Sequence, residues 1–361
     1  MSYFLLPKTN NDINININIQ LSRKKEIQLT SNCVLQYYER MCKEIIKIKT
    51  ENSFESFNDY ENIIESIHPY ECIYKKIPGS KLSVSKLKTK SLLFYDFIEI
   101  NQVFDLFNVY KNKPLSILNI SPNYEDLNYY IEMIKDNNDE VLSIPKLNNE
   151  SYQLINKKYD FIYFEDGFDL CNEIYSPTHI NGMMKALLLI LYHQTHEGTS
   201  LIKISNTFYK PIIDVLYLFS SLFEKVYIMK PTTTNSATFE KYIICKNFNA
   251  NKINTILPKI EKYVTMDFIL HYSNNYIFSI IDEEIPYYFI NKIHDLHSIL
   301  GQQQLEMMEQ VINLLKTRNK EEKIETIKRN NIQKSILWCE KFKIPYNKFV
   351  DKTNIFLPVL K

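Results

Sequence analysis

Lys203 and Glu240 stand on two runs of strand-like composition, TSLIKIS (199–205) and EKYIICK (240–246). An ammonium and a carboxylate on adjacent strands make either a salt bridge that merely keeps the fold or the centre of a site that handles protons. Further acids lie in runs of the same kind: Glu165 and Asp166 follow DFIYF, Asp169 stands just beyond them, and Asp96 sits in FYDFIEI. Glu165, Asp166 and Asp169 have the chemistry to hold Mg²⁺, but no phosphate-cradling glycines accompany them. A lysine removes a proton near neutral pH only where its neighbours tune its charge, so the balance around Lys203 decides what it can do.

A second feature is electrostatic. Lys75, Lys76, Lys81, Lys86, Lys88 and Lys90 fall between Glu71 and Asp96 with no acid among them. The chain carries 43 Lys+Arg against 42 Asp+Glu, a formal charge of +1, so a polyanion must be held by a local patch of this kind. Tyr74, Phe94 and Tyr95 are expected to be available for base stacking, and the lack of arginine argues against bidentate phosphate recognition. The bland alternative is a solvated lysine-rich loop. His193 and His196, at i, i+3 spacing, read as a satisfied or surface pair, not as metal ligands.

Strands and helices must position these groups. Short apolar runs at 114–120, 140–144, 160–165, 199–205 and 225–229 have strand length, and helical segments at 180–196 and 211–223 lie between the later ones. That alternation predicts a doubly wound parallel sheet. No helix fits between 225–230 and 240–246, so these two pair as an antiparallel hairpin at its end. The turn after the 114–120 strand, where a nucleotide-type cofactor would lie in such a sheet, reads NISPNYED and contains no glycine.

The 361 residues, 45% hydrophobic, suffice for one large domain with terminal additions. Residues 31–67 and the stretches 290–315 and 316–341 carry helical periodicity, and the low-complexity Ile/Asn alternation at 13–19 reads as a disordered or edge segment. The predicted organisation is an N-terminal segment and helical extension over 1–70, an α/β domain over 71–248 and a C-terminal helical region over 249–361. Six scattered cysteines without a CxxC pair read as reduced thiols of a cytosolic protein. No apolar run reaches the roughly 20 residues of a membrane span, and the first 20 residues lack a leader pattern. Only five glycines occur, well under the usual ~7%.

Taken in order, PGSKLSVSKLKTKSLLFYDFIEI (78–100), YDFIYFEDGFD (159–169), EGTSLIKI (197–204) and FEKVYIMKPTTTNSATFEKYIICKNF (223–248) resemble the FtsJ-like RNA ribose 2'-O-methyltransferases, particularly the large-DNA-virus versions that cap their own messages. The resemblance spans 71–248, about half the chain. It implies a Rossmann-like methyltransferase sheet using S-adenosyl-L-methionine and a Lys-Asp-Lys-Glu tetrad. Lys203 and Glu240 match the third and fourth members. Asp96, with Tyr95 and Glu99 as alternates, falls where the family has the first lysine, and Glu165 where it has aspartate. One lysine among three carboxylates is formally −2, which raises the Lys203 pKa and repels RNA phosphates unless Lys88 or Lys90 swings in. By the same resemblance Asn119, Ser121, Asn123, Glu165 and Asp166 line the cofactor site, with Glu125 or Asp126 replacing a lost acid, and the six lysines lead into the RNA groove. The turn KPTTTNSAT (230–238) contacts substrate in the family, which often has arginine where Asn235 stands.

Two functions follow. One is a ribose 2'-O-methyltransferase acting on capped mRNA, with weak or lost activity. The other is a non-catalytic, RNA-binding or scaffold subunit that assists a capping enzyme. Both place the chain in a host cytoplasm, with RNA and a capping-enzyme subunit as partners and neither DNA nor a membrane.

Overall fold

The computed structural model describes residues 2–9, 15–22, 30–51, 67–77, 80–107, 113–134, 139–165, 177–271, 276–317 and 320–347. In chain order the elements are β1 (Ser2–Leu5), β2 (Ile17–Ser22), α1 (Asn32–Glu51), α2 (Leu93–Phe104), β3 (Ser116–Ile120), α3 (Tyr124–Ile134), β4 (Glu140–Ile144), α4 (Asn149–Tyr152) and β5 (Tyr159–Phe164). They continue with α5 (Pro177–His193), β6 (Gln194–Ile204), α6 (Lys210–Leu222), β7 (Phe223–Lys230), β8 (Lys241–Phe248), α7 (Ile253–Glu261), α8 (Met266–His271), β9 (Tyr276–Ile281), α9 (Tyr287–Lys316) and α10 (Lys320–Lys341).

Seven strands make one sheet in the order β1-β7-β8-β6-β5-β3-β4. β4, β3, β5 and β6 run parallel, and β8 is inserted antiparallel between β6 and β7. This is the Rossmann-like methyltransferase sheet with its terminal antiparallel hairpin. The strands are apolar on both faces because helices cover both. Leu118, Ile120, Ile162, Phe164, Ile202, Ile204 and Ile243 pack beneath α5 and α6, where every residue from Pro211 to Leu222 is buried. Ile117, Phe161, Tyr163, Leu201, Tyr242 and Ile244 face α2, α3 and the end of α10. By strand alternation Asn119 and Lys203 belong to this second face.

Three strands, β1, β2 and β9, lie outside the alternation read from the sequence. β1 pairs antiparallel with β7 and forms the sheet edge, and β2 pairs with β9 in a separate ribbon. The Ile/Asn run therefore contributes structure: Ile15, Ile17 and Ile19 are buried in the α5–α6 core. A further correction concerns 180–196. The helix stops at His193, and Gln194 begins an 11-residue strand by donating its side-chain amide to the carbonyls of Tyr159 and Asp160. His193 and His196 consequently share no helical face. Gly198 closes this irregular start, since a Cβ there would fall 2.0 Å from Gln194 Nε2.

Among the described residues no helix is long and apolar enough to cross a membrane, and no group of three or more His, Cys, Asp or Glu is arranged to hold a metal. Asp166 and Asp169, part of the Mg²⁺ alternative, lie outside the described residues.

Candidate functional site

β5, β6 and the β7–β8 connection end at one rim of the sheet and bring the acids and Lys203 together. Lys203 Nζ lies 2.9 Å from Glu165 Oε1 and 3.8 Å from Glu240 Oε2. Burial by itself would lower the Lys203 pKa, but the Glu165 and Glu240 carboxylates, with Asp96 behind them, outweigh it and hold the ammonium above the ordinary lysine value. Burial would likewise raise Glu165. The Lys203 charge and hydrogen bonds from Lys203, Ser121 and Tyr163 reverse the shift and keep it ionised below the usual carboxylate range. Lys203 is thus a fixed cation, the opposite of a poised general base.

Asp96 reaches the same neighbourhood from the first turn of α2, 3% exposed. It accepts hydrogen bonds from Thr233 Oγ1 (2.5 Å), Thr234 Oγ1 (3.1 Å) and Tyr242 Oη (2.7 Å). Burial pushes its pKa up to about 7 despite those donors and Lys203, with Glu99 adding to the rise. One turn along the helix, Glu99 is fully buried and accepts from the Thr232 backbone N–H (2.7 Å), the Thr232 hydroxyl and the indole of Trp338 (2.6 Å). The two acids of α2 therefore grip the threonine turn from below, and α10 contributes the last donor. Glu99 is read from the sequence only as an alternate to Asp96, and Trp338, about 240 residues away, does not stand out there.

Two more cations lie close by. Lys230 ends β7 and Lys241 begins β8, one step beyond the Met229–Tyr242 pair of that hairpin. Lys230 donates to the Thr238 carbonyl, and Lys241 to the carbonyls of Ser205 and Phe239. Burial lowers Lys230 to about 8 against the pull of Glu240 and Asp96, and lowers Lys241 well below its ordinary value, with Lys230 adding to the effect. Both line a cavity of about 20 Å³ with His297 and Gln304, room for about one water. Lys230 and Lys241 thus lie near the acids, Lys230 close enough to feel Glu240 and Asp96, although burial works against the charge of both. Lys88 is exposed and Lys90 pairs with Glu125, so neither is the missing cation. The signal was present in the flanks of KPTTTNSATFEK, read for its turn and its glutamate only.

The presumptive cofactor turn is filled by its own side chains. Asn119 and Ser121 are 0% exposed. Asn119 Nδ2 donates to the Tyr124 carbonyl and to Asn128 Oδ1, leaving Asn119 Oδ1 as a buried acceptor with no partner among the described residues. Ser121 Oγ donates to Glu165 at 2.8 Å and accepts from the Asn123 N–H at 3.0 Å. Asn123 is exposed. Asp126 is occupied by the Lys90 N–H (3.0 Å) and the Ser91 hydroxyl (2.5 Å), and Glu125 by Lys90, so neither acid is free to replace the missing one. These residues do not fit S-adenosylmethionine as they stand, because two of its five expected contacts are sealed inside the protein and Glu165 is tied to both Lys203 and Ser121.

The lysine stretch is only partly free. Lys75 pairs with Glu71 at 2.7 Å and Lys90 with Glu125, while Lys76, Lys81, Lys86 and Lys88 are exposed with no ion pair among the described residues. Phe94 and Tyr95 are fully buried and cannot stack on a base, and the half-buried Tyr74 donates to Glu71.

The sheet is of the Rossmann-like methyltransferase type, and residues 181–303 match the family described as the poxvirus mRNA capping enzyme, small subunit. The chain is 26% identical over 230 residues to the uncharacterized protein R383 of Acanthamoeba polyphaga mimivirus, a match over 62% of this chain and 58% of that protein. It thus spans a little over half the length of that relative. A crystal structure described as a ribosomal RNA methyltransferase from Plasmodium falciparum aligns at TM-score 0.32 and 18% identity, covering 44% of this chain and 97% of that one.

Proposed function

We propose that this protein is a methyltransferase-fold subunit of an mRNA-capping apparatus that assists a catalytic partner in a host cytoplasm and does not itself transfer methyl groups. One observation carries the reading: the Lys203 ammonium is held by Glu165, whose other oxygen is bonded to Ser121 of the turn where a methyl donor would lie. Base and cofactor loop are thereby consumed by one internal network. The match of 181–303 to a small-subunit family supports an accessory role.

The second reading is an FtsJ-like, S-adenosylmethionine-dependent ribose 2'-O-methyltransferase. It is favoured by the convergence of Lys203 on Glu165 and Glu240, with Asp96 in electrostatic reach. If the donor is bound there, Lys203 is the residue to orient the ribose hydroxyl, with Glu165 and Glu240 fixing its ammonium.

Titration calorimetry with millimolar S-adenosylmethionine separates the two. No heat, together with no radiolabelled methyl transfer to capped RNA, is expected. Saturable binding with transfer that Lys203→Ala abolishes would overturn the accessory reading.

A further inference from the structure

We propose that the exposed lysines of the 76–88 loop and those at the end of α10 form one continuous surface that holds the phosphodiester backbone of single-stranded RNA. The capping reading supplies the kind of polyanion; the surface itself is argued from geometry. The loop and the C-terminal segment are stitched antiparallel: Ser85 bridges Tyr346, the Lys86 N–H donates to the Pro345 carbonyl at 2.8 Å, and the Asn347 N–H donates to the Val84 carbonyl at 2.9 Å. The Asn347 side chain adds a bond to the Ser83 carbonyl at 2.9 Å. In that antiparallel sense Lys88 and Lys343 lie equally far from the bridge on the same side of it, and Lys341 precedes Lys343 at the helix end. Lys343 adopts a left-handed φ of 56°, which turns the chain out of α10 and into this pairing.

Lys76, Lys81, Lys86, Lys88, Lys341 and Lys343 are all exposed. The acids at the margin already have partners: Glu71 holds Lys75, Glu125 holds Lys90, and Glu340 accepts from the Tyr346 hydroxyl at 2.7 Å. A nearly neutral protein has therefore gathered unpaired positive charge from two segments some 250 residues apart, outside the ionic network of Lys203. With lysines only, the surface offers point charges without bidentate forks, which suits a backbone and not a base sequence. Phe94, Tyr95 and Phe342 are buried, and the half-buried Tyr74 and Tyr346 give their hydroxyls to Glu71 and Glu340, so the surface is read for phosphate contacts and not for base stacking.

The test is fluorescence anisotropy of a labelled, uncapped 20-nucleotide oligouridylate with the full chain, titrated at several salt concentrations between about 50 and 200 mM. Lys86→Gln/Lys88→Gln and Lys341→Gln/Lys343→Gln are each expected to weaken binding about five-fold and to flatten the log–log salt dependence by about 1.4, as loss of two phosphate contacts on a single strand requires. Unfolding midpoints should be unchanged, since the four side chains are exposed. Lys316→Gln, whose partner is Glu44 on α1, is the control and should bind like the parent. The proposal falls if the α10 pair binds RNA undiminished, if binding is insensitive to salt, or if phosphatidylserine vesicles are bound and RNA is not. None of these outcomes bears on S-adenosylmethionine, so this surface and the accessory reading fail independently.

Discussion

The Tyr242 hydroxyl on β8 donates to Asp96 Oδ2 on α2 at 2.7 Å, across the sheet face that carries the charged cluster. Both groups are buried, and the tyrosine is driven well above its ordinary pKa by burial and by Asp96, so it serves as a donor only. The Asp96 carboxyl is thus built into the protein as a hydrogen-bond hub joining α2, β8 and the 231–234 turn. In this geometry Asp96 acts as a structural acceptor.

That hub has a pH signature. The folded pKa of Asp96 is raised from 3.8 to about 7, so its contribution to stability is present at acid pH and is lost as pH rises through about 7. Asp96→Asn keeps the acceptor without the charge. Its stability relative to the parent should rise progressively between about pH 4 and 8, and urea midpoints across that range would show it.

Removing Lys203 while leaving Glu165 in place strands a buried carboxylate. Lys203→Met should cost about 3–5 kcal/mol, the range for breaking a buried pair from one side. Pairing it with Glu165→Gln should recover a substantial part, because Ser121 and Tyr163 still find an acceptor. Chemical denaturation of the two single variants and the double variant completes the cycle.

Three buried histidines pull the other way from Asp96. Burial lowers His68 and His179 to about 4 and His297 to about 3. Each is neutral in the folded protein while the unfolded chain protonates near 6.5, so their joint effect is a loss of stability as pH falls from about 6.5 towards 4. Replacing His68, which bonds the Thr233 carbonyl at 2.9 Å, by Gln should make the acid limb of the stability–pH curve less steep, as thermal melts at pH 7 and pH 5 would record.

Trp338 is the sole tryptophan, and its indole N–H ends on Glu99. Trp338→Phe preserves an aromatic ring but removes a donor from a buried carboxylate, for an expected loss of about 1–3 kcal/mol. In the parent, tryptophan fluorescence becomes a local report on the seating of α10. Its transition should coincide with the global one by circular dichroism if that helix is integral to the sheet's second face.

Where local pattern decides, the sequence was readable. β3, β5 and β6 are apolar runs of strand length, and the absence of room for a helix between β7 and β8 foretells their hairpin. What escaped is what tertiary pairing decides. β1 is four residues whose partner lies beyond position 225, and the Ile/Asn run becomes ordered by pairing with β9. The grouping of Lys203 with Glu165 and Glu240 is what the family resemblance implies, and in the structure the lysine lies within ion-pair reach of both acids. The burial of Asp96 and the Glu99–Trp338 bond depend on helices docking from distant parts of the chain, and no spacing rule encodes them.

β1 carries a consequence for biosynthesis. Ser2–Leu5 leave the ribosome more than two hundred residues ahead of their partner in the sheet, Tyr227–Lys230. Until that partner emerges the strand waits unpaired and this rim of the sheet stays open. A change that keeps β1 from docking would therefore leave β7 as a bare edge open to self-association.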